Sequence, residues 1–251
     1  MTLRRKILLV AIGLVVVVGV ACVAVWRRAA TSSSSVSVST AVNQFRQAAG
    51  GSVTGPPLPG VYTYSLHGNE CAGVAGVHLC RSFPSRARMI LTRKPGTVTI
   101  ELDLSQDHIE TSRYVVHPDG RYLASQRTKI VFGIAQDDNA STKPATLALP
   151  AALRVGLHWT QRFSAGGLPV TTTNRVVRQT TMAIGGAKVM VYEIDADSKT
   201  GGAHPGTEND VTWHSPSSGL DVRLTIHRRI GGIFPYTMDL DATLQSLKPL
   251  R

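Results

Sequence analysis

Cys71 and Cys80 are the first residues whose type and spacing carry chemistry. Facing an oxidising compartment, a pair nine positions apart is most simply one disulfide, and Gly73 and Gly76 between them let the loop turn tightly. For a closed loop of about ten residues, chain entropy gives on the order of 2–3 kcal/mol. His67 and His78 lie close by, but no CxxC or HxxxH spacing accompanies them, so the pattern predicts a disulfide and no metal site.

Catalysis requires a nucleophile, base or metal held by partners. The chain has no GxSxG elbow, no HExxH and no phosphate-binding glycine loop. Asp195-Ala196-Asp197 lacks the third acid and the glycine of a calcium loop, and Asp137-Asp138-Asn139 stands in a polar stretch. His204, His214 and His227 read as polar positions on C-terminal strands, and Asn139-Ala140-Ser141 is a glycosylation triplet common by chance. The expectation is a chain without catalytic residues, metal or cofactor. The residues that could meet a ligand are apolar instead: Trp159, Val189, Val191, Trp213 and Val222, on faces turned to an interior. Ile100, Leu220 and Leu224 are expected to share that interior.

What must position them hangs on an anchor. Ile7 to Trp26 is a 20-residue run without a charge, preceded by Arg4, Arg5 and Lys6 and closed by Arg27 and Arg28. At ~1.5 Å per residue it spans the hydrocarbon core as a helix. The excess of positive charge at its N-terminal end places the N-terminus inside and residues 29–251 outside the plasma membrane. Two other readings of the run stay open. One is a cleaved signal peptide; the other is a lipoprotein signal, since Gly19-Val20-Ala21-Cys22 loosely resembles a lipobox whose cysteine is lipidated. Position 19 departs from the lipobox pattern, where a large aliphatic residue is usual.

The formal charge is +11, and removing the five Arg and Lys of the first 28 residues leaves +6 on the remainder. A mildly basic outer domain suits lipid head groups or an anionic envelope polymer. It is no nucleic-acid footprint, because no Lys/Arg cluster beyond the anchor exceeds two residues. Nothing in the sequence designates a protein partner.

Residues 29–59 read as a tether, with a short helix over 40–49 capped by Thr40 and carrying Val42, Phe45 and Ala49 on one side. Gly50-Gly51 and the prolines at 56, 57 and 59 end it. From Gly60 to Arg251 the period becomes two. Tyr62, Tyr64 and Leu66 share a face; Lys94-Pro95-Gly96, His117-Pro118-Asp119-Gly120 and Gly185-Gly186 each sit at a hairpin turn. Residues 136–150 are expected to be a polar loop, 151–155 a helical turn, and 197–209 a second loop. Ten to twelve strands in adjacent hairpins predict an all-β, mainly antiparallel domain, its curved sheet forming a half-barrel or barrel.

Trp159, the Gly185-Gly186 hairpin, the Gly/His loop, Trp213 and the turn Ser217-Ser218-Gly219-Leu220 leading into Val222-Arg223 form one phrase. It resembles membrane-anchored envelope proteins of actinobacterial type. More remotely it is similar to the LolA/LppX-like half-barrels, and that resemblance implies a lipid on the concave face of the sheet. The long helices that close such half-barrels have no counterpart in the sequence. Two functions follow as expectations: an extracytoplasmic domain binding an apolar or amphiphilic envelope ligand, or a non-catalytic structural or protein-interaction module. A cavity of ~300 Å³ or more would separate them.

Overall fold

A computed structural model describes residues 33–48, 56–74, 77–132, 135–202, 204–232 and 235–251. The apolar run 7–26, with Cys22, lies outside the described residues. No described helix is long and apolar enough to cross a membrane.

The described elements are one helix, α1 (Val38–Ala48), and thirteen strands: β1 (Gly60–Val74), β2 (Val77–Ser82), β3 (Arg86–Lys94), β4 (Thr97–Ser105), β5 (His108–His117), β6 (Gly120–Val131), β7 (Ala135–Pro150), β8 (His158–Ala165), β9 (Leu168–Ile184), β10 (Ala187–Thr200), β11 (Gly206–Ser215), β12 (Leu220–Ile230) and β13 (Tyr236–Leu244). From β3 to β13 each strand pairs with the next, β3 pairs on its other edge with β1, and β13 returns to β1, so twelve strands close an antiparallel barrel. The expected curved sheet is therefore closed. β2 is the extra strand. It shares one edge of β1 with β3, pairing with Asn69–Val74 while β3 pairs with Gly60–Ser65. Gly68 stands between the two halves, and a Cβ there would lie 2.0 Å from the Asp239 carbonyl oxygen, so only glycine lets β13 approach.

Hairpin chemistry sets most of the order. Gly185 and Gly186 take φ of 56° and 83°, the left-handed pair that a two-residue turn between twisted strands requires. Alternation sets the faces: Tyr62, Tyr64 and Leu66 point inward and are buried. Exposed Arg127, Lys129, Arg162, Arg175 and Arg178 populate the outer surface, which is therefore not the apolar band of a membrane barrel.

Several sequence expectations change. Residues 136–150 form β7, not a loop, and β10 and β11 extend until only 201–205 connect them. Both stretches are polar on both faces, which hides a strand's alternation. Residues 151–155 make bends and no helical turn. The helix starts at Val38, two residues before the expected cap: Ser37 Oγ accepts the Thr40 amide at 3.1 Å and is the cap itself. Residues 33–48 are docked on the barrel. Val36, Ala41 and Phe45 pack with Val61 and Ile90 on the outer face of β1 and β3.

The barrel interior has two halves. Towards the turns β3–β4, β9–β10 and β11–β12 it is filled by side chains, among them Tyr64, Leu91, Val98, Val191, Val222 and Leu244. Towards the turns β8–β9, β10–β11 and β12–β13 it is hollow.

Candidate functional site

The hollow half is a cavity of about 770 Å³. Gly166, His204 and Pro235, from the connections at that end, line its mouth, and Gln136 and Asp138 line it while remaining exposed to solvent. β7 and β8 meet there through a single ladder pair, Ala140 with Ala165. Beyond that pair the two strands are held by side chains, as Trp159 Nε1 and Gln161 Nε2 both donate to the Ala148 carbonyl at 3.2 and 3.1 Å.

Strand register sorts the wall into layers. At the mouth run Ile230, Gly206, Thr200, Val170 and Phe163, successive partners across β12 to β8. One layer deeper the same strands present Arg228, Glu208, Ser198, Thr172 and Gln161, all polar. The Thr172 and Ser198 hydroxyls lie 2.7 Å apart. Deeper again come Asp210, Ala196 and Asn174.

An ionic layer borders the cavity, with Arg228, Glu208 and Tyr236 in its wall. Arg81 Nε donates to Glu70 Oε1 at 2.6 Å, and Tyr236 Oη donates to Glu70 Oε2 at 2.6 Å. His108 Nδ1 lies 2.8 Å from the same Oε2, and its Nε2 lies 3.3 Å from Glu110 Oε1. Arg228 Nη1 donates to that Glu110 oxygen at 2.8 Å, and Arg228 Nε donates to Glu208. Glu70 and His108 are fully buried. Both ring nitrogens of His108 face carboxylate oxygens, and only the imidazolium can donate from both. Burial pushes the His108 pKa down, but the hydrogen bonds and charges of Glu110 and Glu70 outweigh it and raise it above 6.5. Burial likewise raises Glu70, and His108, Arg81 and Tyr236 together bring it below its ordinary value. Glu110 is lowered against its burial by Arg228 first and His108 second. Phe132 stacks on the Arg81 guanidinium, 4.5 Å from its centroid, on the cavity side.

The residues expected to line a ligand site fall elsewhere. Val189, Val191 and Val222 are packed in the filled core, with Trp213 against it. The Trp213 indole donates to Glu193 Oε2 at 3.0 Å, and its ring lies under Arg223. Trp159 sits at the β7–β8 seam. Leu220 is buried in the core, with Ile100 and Leu224 packed on it. Cys71 and Cys80 are cross-strand partners joined by a disulfide. Glu70 and Arg81 are the adjacent pair of that ladder, so the disulfide fixes the register that sets the ionic layer. The candidate histidines disperse: His204 is at the mouth, His214 meets Asp221 at 2.7 Å, and His227 meets Asp239 at 2.7 Å on the outside. Asp137 pairs with Arg127, and Asp197 accepts from Asn209. Among the described residues no group of three His, Cys, Asp or Glu could hold a metal. The sequence reading missed the ionic layer and the polar wall. The available signal was phase: Glu70 shares its strand parity with Tyr62 and Tyr64, and Arg228 with Val222 and Ile226.

No family model matches this chain, and no curated protein matches it. Among solved structures it is similar to the hypothetical lipoprotein YmcC of Escherichia coli (K12), at 13% identity over 75% of this chain and 86% of that one, with a TM-score of 0.33. At that distance the reading of the site rests on its own residues.

Proposed function

We propose that this chain is a membrane-tethered domain of the cell envelope that binds an amphiphilic, lipid-like molecule in the hollow half of its barrel. The cavity carries the reading. Its volume of about 770 Å³ falls within the ~300–1,000 Å³ of small-ligand sites, and its wall combines apolar and hydrogen-bonding side chains. The domain is read as non-catalytic, since the charged groups of the ionic layer are engaged with one another and stand as a scaffold. The tether follows from the apolar run 7–26, with Cys22 as the alternative attachment point. The filled half favours a second reading, a structural or interaction module, but gives no account of the cavity.

Native mass spectrometry of the protein purified from its own membrane tests the first reading. A retained amphiphile of defined mass is expected; protein that is bare under every extraction condition would favour the second. For the tether, a cysteine at exposed Ser34 in a Cys22→Ser background is expected to react with an impermeant maleimide on intact cells. Labelling only after lysis would reverse the topology.

A further inference from the structure

We infer that the cavity selects an electrically neutral, hydroxyl-rich head group, inserted ahead of its alkyl chain, and rejects anionic amphiphiles. This rests on the ligand-binding reading above and names its ligand class.

The charges of the wall exclude an anion. Among the described residues Arg228 is the one Arg or Lys lining the cavity, and it is already held between Glu110 and Glu208. Arg81 pairs with Glu70 and Asp107 and lies behind the Phe132 ring, outside the cavity lining. Against the one engaged cation, Arg228, the wall presents the acidic side chains of Asp138 and Glu208. A phosphate or carboxylate brought here would lose its hydration with no free cation to replace it.

Asp210 supplies a specific contact. Its Oδ1 is buried without a hydrogen-bond partner, on a side chain that lines the cavity. Burial first, and the charge and hydrogen bond of the neighbouring Glu208 next, raise its pKa well above the ordinary carboxylate value, so the carboxyl is held neutral with its proton shared with Glu208. A ligand hydroxyl can donate to the remaining oxygen. Around it Thr172, Asn174, Ser198 and Gln161 add donors and acceptors without net charge.

Layer order gives the direction. On the side of β8, β9 and β12 the polar layers lie below Ile230, Val170 and Phe163, with Leu168 beside them, while Gln136, Asp138 and His204 keep the rest of the rim polar. A molecule entering head first satisfies both zones, and one entering tail first buries its chain against hydroxyls and leaves Asp210 unpaired.

The test uses the full-length protein in phosphatidylcholine nanodiscs. Binding of octyl glucoside, octyl phosphate and free glucose is measured by equilibrium dialysis against empty nanodiscs. Saturable octyl glucoside binding is expected, at least about tenfold tighter than octyl phosphate. Asp210→Leu is expected to weaken it about tenfold, and Asp210→Asn, which keeps a donor and an acceptor, by no more than about threefold. Octyl phosphate binding as tightly as octyl glucoside would overturn the inference and leave the cavity reading standing. So would octyl glucoside binding unchanged by Asp210→Leu. Glucose binding as tightly as octyl glucoside would replace the amphiphile by a free sugar, and saturable binding of none of the three would overturn both readings.

Discussion

The two halves of the interior belong to one twelve-stranded barrel and behave as different materials. In one, Tyr64, Val98, Val191, Val222 and Leu244 interdigitate with little or no exposure. In the other, Thr172, Ser198, Asp210 and Gln161 stand around open space. The lesson is a division of labour along the barrel axis. Apolar burial at one end supplies the stability that lets the other end stay unfilled, which a fully hollow barrel of this size would lack. The ionic layer between them is the joint. It borders the cavity without adding apolar side chains, and it ties β1, β2, β5, β11, β12 and β13 together across the interior.

The joint should yield the largest effects. Glu70→Ala removes the nearer counter-charge of buried Arg81 and His108, leaving only Asp107 at 3.5 Å and Glu110 at 3.3 Å, and is expected to cost about 3–5 kcal/mol in urea unfolding. A cost below about 1 kcal/mol would show that the layer is hydrated and does not tie the strands together. Next come matched truncations in the two halves. Leu244→Ala, buried in the filled half, should cost about 2–5 kcal/mol by opening a cavity among packed neighbours. Ile230→Ala, half-exposed at the mouth, should cost about 1–2 kcal/mol. Equal costs would erase the contrast between filled and hollow.

Titration probes the same joint with a defined sign. Glu70 and Glu110 have pKa values lowered from 4.5, so their contribution is present above that value and lost as pH falls through the folded values. His108 has its pKa raised from 6.5, so its contribution is complete below 6.5 and lost as pH rises towards the folded value. The contribution of this layer should therefore be largest between about 4.5 and 6.5 and decline on the alkaline side by up to ~1.4 kcal/mol per pH unit. This comes on top of a decline from buried Asp103 and Asp210, whose raised pKa values act in the same direction. His108→Gln should flatten the alkaline limb. A limb unchanged in that variant would assign the decline to other groups.

How far the sequence disclosed this molecule depends on which half is asked about. The hairpins at Lys94-Pro95-Gly96 and Gly185-Gly186 were legible because turn chemistry is local, and the strands of the filled half because one face is apolar. The failures coincide with the cavity. Residues 136–150 and 197–209 looked like loops because their inward positions are polar, and a strand polar on both faces has no alternation to read. The expected ligand face, Val189, Val191 and Val222, was in turn the packed core, since apolar alternation marks close packing sooner than it marks a site. The ionic layer draws on positions 70, 81, 108, 110, 208 and 228, which nothing local brings together. A charged residue in the inward phase of a strand was the one trace it left.

That coincidence suggests a reciprocal exchange, smaller in effect than the others. Val191 and Thr172 both point into the barrel, one in each half, and valine and threonine have nearly the same shape. Val191→Thr puts a hydroxyl into a fully buried apolar site, where a donor without a partner is expected to cost about 1–3 kcal/mol. Thr172→Val removes one hydroxyl of the Thr172–Ser198 pair in a wall where Ser198 can turn to water, and should cost less than about 1 kcal/mol. Stability should thus fall for the first exchange and hardly move for the second, while octyl glucoside binding should do the reverse. If Thr172→Val destabilises as much as Val191→Thr, the hydroxyl lining is part of the packing, and the hollow half owes its polarity to folding rather than to a ligand.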